Sequence, residues 1–212
     1  MLHIRMNIVK VDFYNPDKII LDIASDIIND GGVVIYPTDT AYGVGADILN
    51  KKAVDKLNYA KNRHPEKQYT AIVSDVKMAE RFCTLSKSER VLVGMFMPGP
   101  LTLVTSKNDI VPDFIQKTDF VFRIPDCEIA RKICELSETA ITATSANIGG
   151  ETTPYSIGEI SPILKERADL ILDAGMLDTR KTSTICRVED RNVRILREGA
   201  ITEKDIACAL EK

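Results

Sequence analysis

Four short stretches of the 212-residue chain carry polar side chains of types that could do chemistry together. The first is Tyr36-Pro37-Thr38-Asp39-Thr40-Ala41-Tyr42-Gly43-Val44-Gly45, in which hydroxyls and a carboxylate follow a proline. Its two glycines let a backbone approach another group closely. The plainer reading is a turn in which Thr38 and Asp39 cap local N–H groups. The second, Ala60-Lys61-Asn62-Arg63-His64-Pro65-Glu66-Lys67, gathers three cations at the end of a helical pattern. Arg63 could act on a phosphate as a planar fork, with Lys61 and Lys67 as point charges. The alternative is a solvated helix end whose positive charge suits the dipole. The third, Thr142-Ala143-Thr144-Ser145-Ala146-Asn147-Ile148-Gly149-Gly150, offers hydroxyls and exposed N–H groups to an anion or nucleotide, or forms a Ser/Asn cap. The fourth joins Lys181-Thr182-Ser183-Thr184 to Ile195-Leu196-Arg197-Glu198-Gly199. There Arg197 either reaches a carboxylate or phosphate or pairs with Glu198 at the surface.

Other chemistries find less support. No GxGxxG or GxxxxGK[ST] stretch is present, so neither a dinucleotide fingerprint nor a Walker loop would explain phosphate binding. The five cysteines (Cys83, Cys127, Cys134, Cys186, Cys208) form no CxxC pair, and the only histidines are His3 and His64. This argues against a zinc site and for a reduced, cytoplasmic chain. A net charge of −3 argues against a dedicated nucleic-acid coat protein, but not against a local basic cleft. No apolar run reaches the ~18 residues of a membrane span, and residues 1–18 lack the apolar centre of a secretory signal.

The elements that must position these groups alternate between helix and strand. Residues 17–30 read as an amphipathic helix with Ile19, Ile23 and Ile27 as its stripe and Ile20, Ala24 and Ile28 beside it, stopped at Gly31-Gly32. Strands are expected at 33–36, 71–73, 101–105, 120–122, 140–144, 170–172, 184–188 and 193–196. Helices are expected at 53–60, from Ser86 onward through a capping box with Glu89, at 129–136, and at 202–210 with Asp205 in the capping-box position. The alternation predicts an α/β fold with helices packed on a twisted sheet. The close spacing of the last two strands around 189–192 predicts a hairpin, so the sheet should be mixed. No linker or repeat divides the chain, and residues 1–212 read as one domain.

Taken in order, PTDTAYGVG, KNRHPEK, MPGPLTLV, FRIP, TSAN, KTSTI and ILREG resemble the YrdC-type family of threonylcarbamoyl-AMP synthases over roughly residues 17–200. The family's paired signature, Lys-x-Arg with a later Ser-x-Asn, is matched by Lys61, Arg63, Ser145 and Asn147. The resemblance implies a twisted, mixed open α/β sheet with flanking helices and a large concave basic cleft, here in the short, single-domain form. It implies synthesis of L-threonylcarbamoyl-adenylate from ATP, L-threonine and bicarbonate or CO2, with release of pyrophosphate. A separate transferase complex would then carry the threonylcarbamoyl group to tRNA. By the family's pattern Lys61, Arg63, Ser145 and Asn147 are catalytic. Arg63, Lys67, Ser145, Thr153 and Arg197 hold ATP, and Thr40, Arg123, Ala143 and Ser183 hold threonine. Mg2+ accompanies the ATP, and no protein-held metal is implied. The reaction crowds a carbamate, a carboxylate and a triphosphate together, so preorganised cations supply the main help available.

The chain departs from the family pattern at Gln68, where proline is usual, at Ile72, where some members place a histidine, and at Gly149, where a serine is common. These departures bear on how threonine is positioned and on amino-acid selectivity. The competing expectation is a YrdC-like module that binds nucleotide, tRNA or double-stranded RNA without making the adenylate. Its RNA affinity would fall steeply with salt, and the absence of tryptophan weighs against a stacking surface.

Overall fold

A computed structural model of the protein describes residues 8–189 and 192–211. His3, the first seven residues and the hairpin turn expected at Asp190-Arg191 lie outside the described residues. Among the described residues ten strands form one sheet: β1 (Ile8–Lys10), β2 (Val34–Pro37), β3 (Tyr42–Gly45), β4 (Thr70–Ile72), β5 (Leu101–Ser106), β6 (Asp119–Arg123), β7 (Ile141–Ser145), β8 (Leu170–Asp173), β9 (Thr184–Glu189) and β10 (Asn192–Arg197). Their order across the sheet is β1-β8-β2-β3-β7-β4-β6-β5-β9-β10. β8 runs parallel to β1 and β2, β6 to β4, and β9 to β5; the remaining neighbours are antiparallel. The sheet is therefore mixed and open, as expected.

Seven α-helices among the described residues flank it: α1 (Lys18–Asn29), α2 (Lys51–Ala60), α3 (Val76–Phe82), α4 (Lys87–Phe96), α5 (Glu128–Ser137), α6 (Pro162–Arg167) and α7 (Glu203–Leu210). Their starts follow local chemistry. Asp17 caps α1, Asn50 caps α2 through the N–H groups of Lys52 and Ala53, and full capping boxes open α4 (Ser86, Glu89) and α7 (Thr202, Asp205). Helix α1 ends as expected, with Gly31 at φ +79° where a side chain would be strained.

The apolar stripe of α1 departs from expectation. Leu21, Ala24, Ser25 and Ile28 are buried, whereas Ile19 and Ile23 are 68% and 48% exposed. The cause is geometric. A strict spacing of four drifts by about 40° a step around a helix of 3.6 residues per turn, whereas alternate spacings of three and four keep one face. The buried set follows the latter rule and packs α1 against α5 and β2.

Two strands and two helices lie where none was expected: β1, β3, α3 and α6. The most consequential is β3. The stretch read as a loop is a hairpin in which Pro37 pairs with Tyr42 and Val34 with Gly45. Its glycines approach a neighbouring side chain. A Cβ on Gly45 would sit 2.8 Å from the Tyr36 ring, and one on Gly43 would sit 3.3 Å from it. Tyr36 is fully buried, and its hydroxyl donates to the Thr142 carbonyl on β7 at 3.0 Å.

Strand alternation sorts the side chains. Phe120 and Phe122 on β6 turn into the core, where Phe120 stacks with both Phe82 and Phe122, with centroids 5.4 Å apart in each pair. Each such pair adds about 0.5–1.5 kcal/mol beyond its buried area. Arg123 follows them with the opposite parity, so it faces away from that core.

Candidate active site

The opposite face carries a cavity of about 320 Å³. Period two explains much of its lining. Thr70 and Ile72 of β4 face it while Ala71 does not; Thr102 of β5 faces it while Leu101 and Leu103 do not. Ser183 and Ile185 face it, whereas Thr184 and Cys186 do not. A bulge between Ile195 and Arg197 breaks the alternation of β10, and Arg197 lines the cavity opposite Ile185, its register partner.

Of the residues singled out from sequence, Thr40, Arg123, Ala143, Ser145, Thr153, Ser183 and Arg197 share this lining. Arg123 is buried. Its Nη2 donates to Asp39 Oδ1 at 2.5 Å and its Nη1 to Thr40 Oγ1 at 3.2 Å. Its Nε is buried without a hydrogen-bond partner among the described residues. Across the cavity Arg197 donates through Nη2 to the Ser183 carbonyl at 2.7 Å and to its hydroxyl at 3.0 Å, rather than pairing with Glu198. The Ser183 hydroxyl also meets Thr102 Oγ1 at 2.8 Å. Burial, and then the charge of Arg123, hold the Arg197 guanidinium below its ordinary pKa. Two like charges thus line one cavity, an arrangement relieved by an anion between them.

Thr38 behaves partly as the plain turn reading expects. Its Oγ1 accepts from the N–H groups of Thr40 and Ala41 and donates to the Ala41 carbonyl at 2.7 Å. With that proton committed, Thr40 must donate in the 3.1 Å contact between the two hydroxyls. Asp39 does not cap the turn; it holds Arg123.

The Lys-x-Arg and Ser-x-Asn stretches meet, 84 residues apart in the chain, through a single side chain. Lys61 caps the C-terminus of α2 and is only 3% exposed. Its ammonium donates to the carbonyl of Ser145 and, at 2.7 Å, to that of Asn147. Burial, and then the charge of Arg63, lower its pKa from 10.5 to about 7. The loop it holds is further closed on itself. Ser145 Oγ donates to Asn147 Oδ1 at 2.5 Å, and Asn147 Nδ2 donates to the Glu151 carbonyl at 2.6 Å.

The turn after Lys61 is possible because Asn62 takes a left-handed conformation, φ 48°, which asparagine tolerates. Arg167 of α6 fixes it from behind, donating to the Tyr59 carbonyl at 2.8 Å and to Asn62 Oδ1 at 2.9 Å. Arg63 lies over the Tyr69 ring, 4.4 Å from its centroid, and donates to the Gln68 carbonyl at 2.8 Å. Lys67 and His64 are exposed. Lys61, Arg63, Lys67 and Asn147 are not in the cavity lining; of the three cations Lys61 is the one hydrogen-bonded to the Ser-x-Asn loop.

Residues outside the four chemistry-bearing stretches also line the wall, among them Thr70, Thr102 and Tyr155. Thr102 carried a readable signal, as the polar member between Leu101 and Leu103 in a strand pattern. Tyr155 carried none. The donors here are hydroxyls and arginine nitrogens, and no three His, Cys, Asp or Glu among the described residues are placed to hold a metal ion. This wall does not fit a protein-held Mg2+.

Comparison with known proteins shows the family. A protein-family model for Sua5, YciO and YrdC, described as telomere recombination, matches residues 26–199. A putative threonylcarbamoyl-AMP synthase of Methanocaldococcus jannaschii is 34% identical over 206 residues, covering 96% of this chain and 98% of that protein. The threonylcarbamoyl-AMP synthase of Pyrococcus abyssi is 32% identical over 187 residues, covering 87% of this chain but 55% of that protein, so the match spans about half of that relative. The crystal structure of P. abyssi Sua5 complexed with L-threonine superposes with a TM-score of 0.87 at 30% identity, covering 95% of this chain and 60% of that one. The chain belongs to the Sua5/YciO/YrdC family.

Proposed function

We propose that this chain makes L-threonylcarbamoyl-adenylate from ATP, L-threonine and bicarbonate or CO2, acting as a nucleotidyltransferase that releases pyrophosphate. The observation that carries the reading is the pair of arginines, buried Arg123 and more exposed Arg197, that line one hydroxyl-rich cavity beside a loop anchored by Lys61. Such a site is prepared for more than one anionic group at once. Relatives named threonylcarbamoyl-AMP synthase, and a similar structure solved with L-threonine, support it.

In this reading Thr40, Arg123, Ser183 and the backbone of Ala143 hold threonine, with the guanidinium on its carboxylate. The amino lone pair adds to the carbon of CO2, and the nitrogen gives up a proton to solvent. A carbamate oxygen then attacks the α-phosphorus, and the bond to the β-phosphate oxygen breaks to release pyrophosphate. Ser145, Thr153 and Arg197 face the nucleotide from the cavity, and Arg63 and Lys67 reach its phosphates from the rim that α2 presents. Lys61 and Asn147 fix the loop that carries Ser145. Any Mg2+ arrives on the triphosphate oxygens, and no step is assigned to it. The large basic concave face belongs to this proposal, as do a cytoplasmic setting, tRNA as the final acceptor and a downstream transferase. No helix among the described residues is long and apolar enough to cross a membrane.

The test is pyrophosphate release from ATP with Mg2+. Release should require both L-threonine and bicarbonate. ATP turnover that ignores threonine, or RNA binding with no pyrophosphate released, would give the binding-module reading precedence.

A further inference from the structure

We infer that Asp39 is a positioning residue for the amino-acid half of the site: its carboxylate holds the Arg123 guanidinium at the angle that presents the unused N–H groups to a substrate carboxylate. The inference rests on the function proposed above and adds a residue to it.

Asp39 and Arg123 are 84 residues apart in sequence and buried together, with side chains 4% and 8% exposed and Oδ1 2.5 Å from Nη2. Asp39 stays out of the main cavity. It lines a second one of about 130 Å³, whose walls include Phe13, Tyr14 and Arg180. Arg123 lines the main cavity. The carboxylate therefore stands behind the guanidinium, in the wall between the two hollows, and reaches substrate only through it.

The hydrogen bonds define the direction of hold. Asp39 occupies one N–H on Nη2 and Thr40 one on Nη1, while Nε is buried with no partner among the described residues. A guanidinium gripped at two points cannot rotate, so its remaining donors keep a fixed bearing. The Thr40 hydroxyl is fixed in the same network, since it gives its proton to Thr38 and accepts from Arg123. Charge adds a second duty. Arg197 is close enough for Arg123 to disfavour its protonation. The Asp39 carboxylate, paired with Arg123, counters part of that charge.

Calorimetric titration of L-threonine and, separately, of ATP into wild type, Asp39→Asn, Asp39→Ala, Arg123→Met and the Asp39→Ala/Arg123→Met pair tests this. Asp39→Ala should weaken threonine about 10- to 100-fold, as a displaced positioning contact does, and leave ATP within about twofold. Asp39→Asn keeps an acceptor oxygen without the charge and should lose less. Asp39→Ala should add nothing once Arg123 is methionine, which a merely structural role would not produce. Unchanged threonine affinity in folded Asp39→Asn and Asp39→Ala overturns the inference. So does equal loss for both ligands, or a loss that persists without Arg123. Should the alanine variant melt before assay, the isosteric asparagine variant carries the measurement. A wild-type chain that binds threonine but releases no pyrophosphate ends the synthase reading and leaves this test standing. One that binds no threonine ends both.

Discussion

The cavity and the basic stretch at the end of α2 both hold cations, but they are built in opposite ways. In the cavity, Arg123 and Arg197 are each fixed by at least two hydrogen bonds from strand or turn residues. In the stretch from Lys61 to Lys67, the degree of fixation falls residue by residue. Lys61 is locked under the Ser-x-Asn loop, Arg63 is stacked on one ring, and Lys67 is exposed. Cations that must meet a small, well-defined group are preorganised, because misplacement there costs most. A flexible polyphosphate can be met by side chains that settle as it binds. The contrast also separates two lysines that the sequence presents alike.

The largest expected effect lies inside the cavity. Arg123→Ala should lower threonine-dependent pyrophosphate release by about 10²–10³-fold, with the loss concentrated in threonine affinity; a variant within a fewfold of wild type would erase the distinction drawn here. Next comes Lys61→Met, which should weaken ATP about tenfold by releasing the carbonyls of Ser145 and Asn147. It also carries a pH signature. With the folded pKa near 7 and the ordinary value at 10.5, the unfolded chain holds more protons between those limits. This lysine's cost to stability is therefore fully present below about 7 and fades as pH rises. Thermal melts from pH 7 to 9 should move in favour of wild type relative to Lys61→Met, and parallel curves would show that the ammonium is not desolvated.

Gly45→Ala probes the frame rather than the cations. The new methyl would meet the Tyr36 ring at 2.8 Å and the Thr142 carbonyl at 3.2 Å, for a loss of roughly 1–3 kcal/mol in denaturant unfolding. An unchanged midpoint would mean that the hairpin can shift. Smallest is Lys67→Ala. An exposed charge is worth at most about 1 kcal/mol, so the KM for ATP should rise only a fewfold, and a loss as large as that of Lys61→Met would put the two lysines back in one class.

Much of this layout was legible in the sequence, and the failures have physical causes. Helices announced by side-chain caps, such as α4 with Ser86 and Glu89, were readable because a cap is a local interaction. Strand β3 was not, since Tyr42-Gly43-Val44-Gly45 has the composition of a turn and is a strand only because the Tyr36 ring fills the space its glycines leave. The motifs named Thr40, Arg123, Ser183 and Arg197, and these do share one cavity. They said nothing of Asp39 behind Arg123, or of the Lys61 ammonium turned to backbone carbonyls, because both facts depend on partners 84 residues away.

The order of strands in the sheet bears on how the molecule is made. Ser183 leads into β9, which pairs with β5, and Arg197 ends β10, which pairs with β9, while Thr40 lies in the turn of a hairpin that docks on β7. Each wall comes from a local hairpin, but the cavity closes only when the two are joined through the strands between them, and long-range contacts of this kind close late and slowly. A half-folded chain therefore has nothing for a small molecule to grip. Added threonine or nucleotide should slow unfolding and raise the melting point, yet leave the rate of refolding as it was.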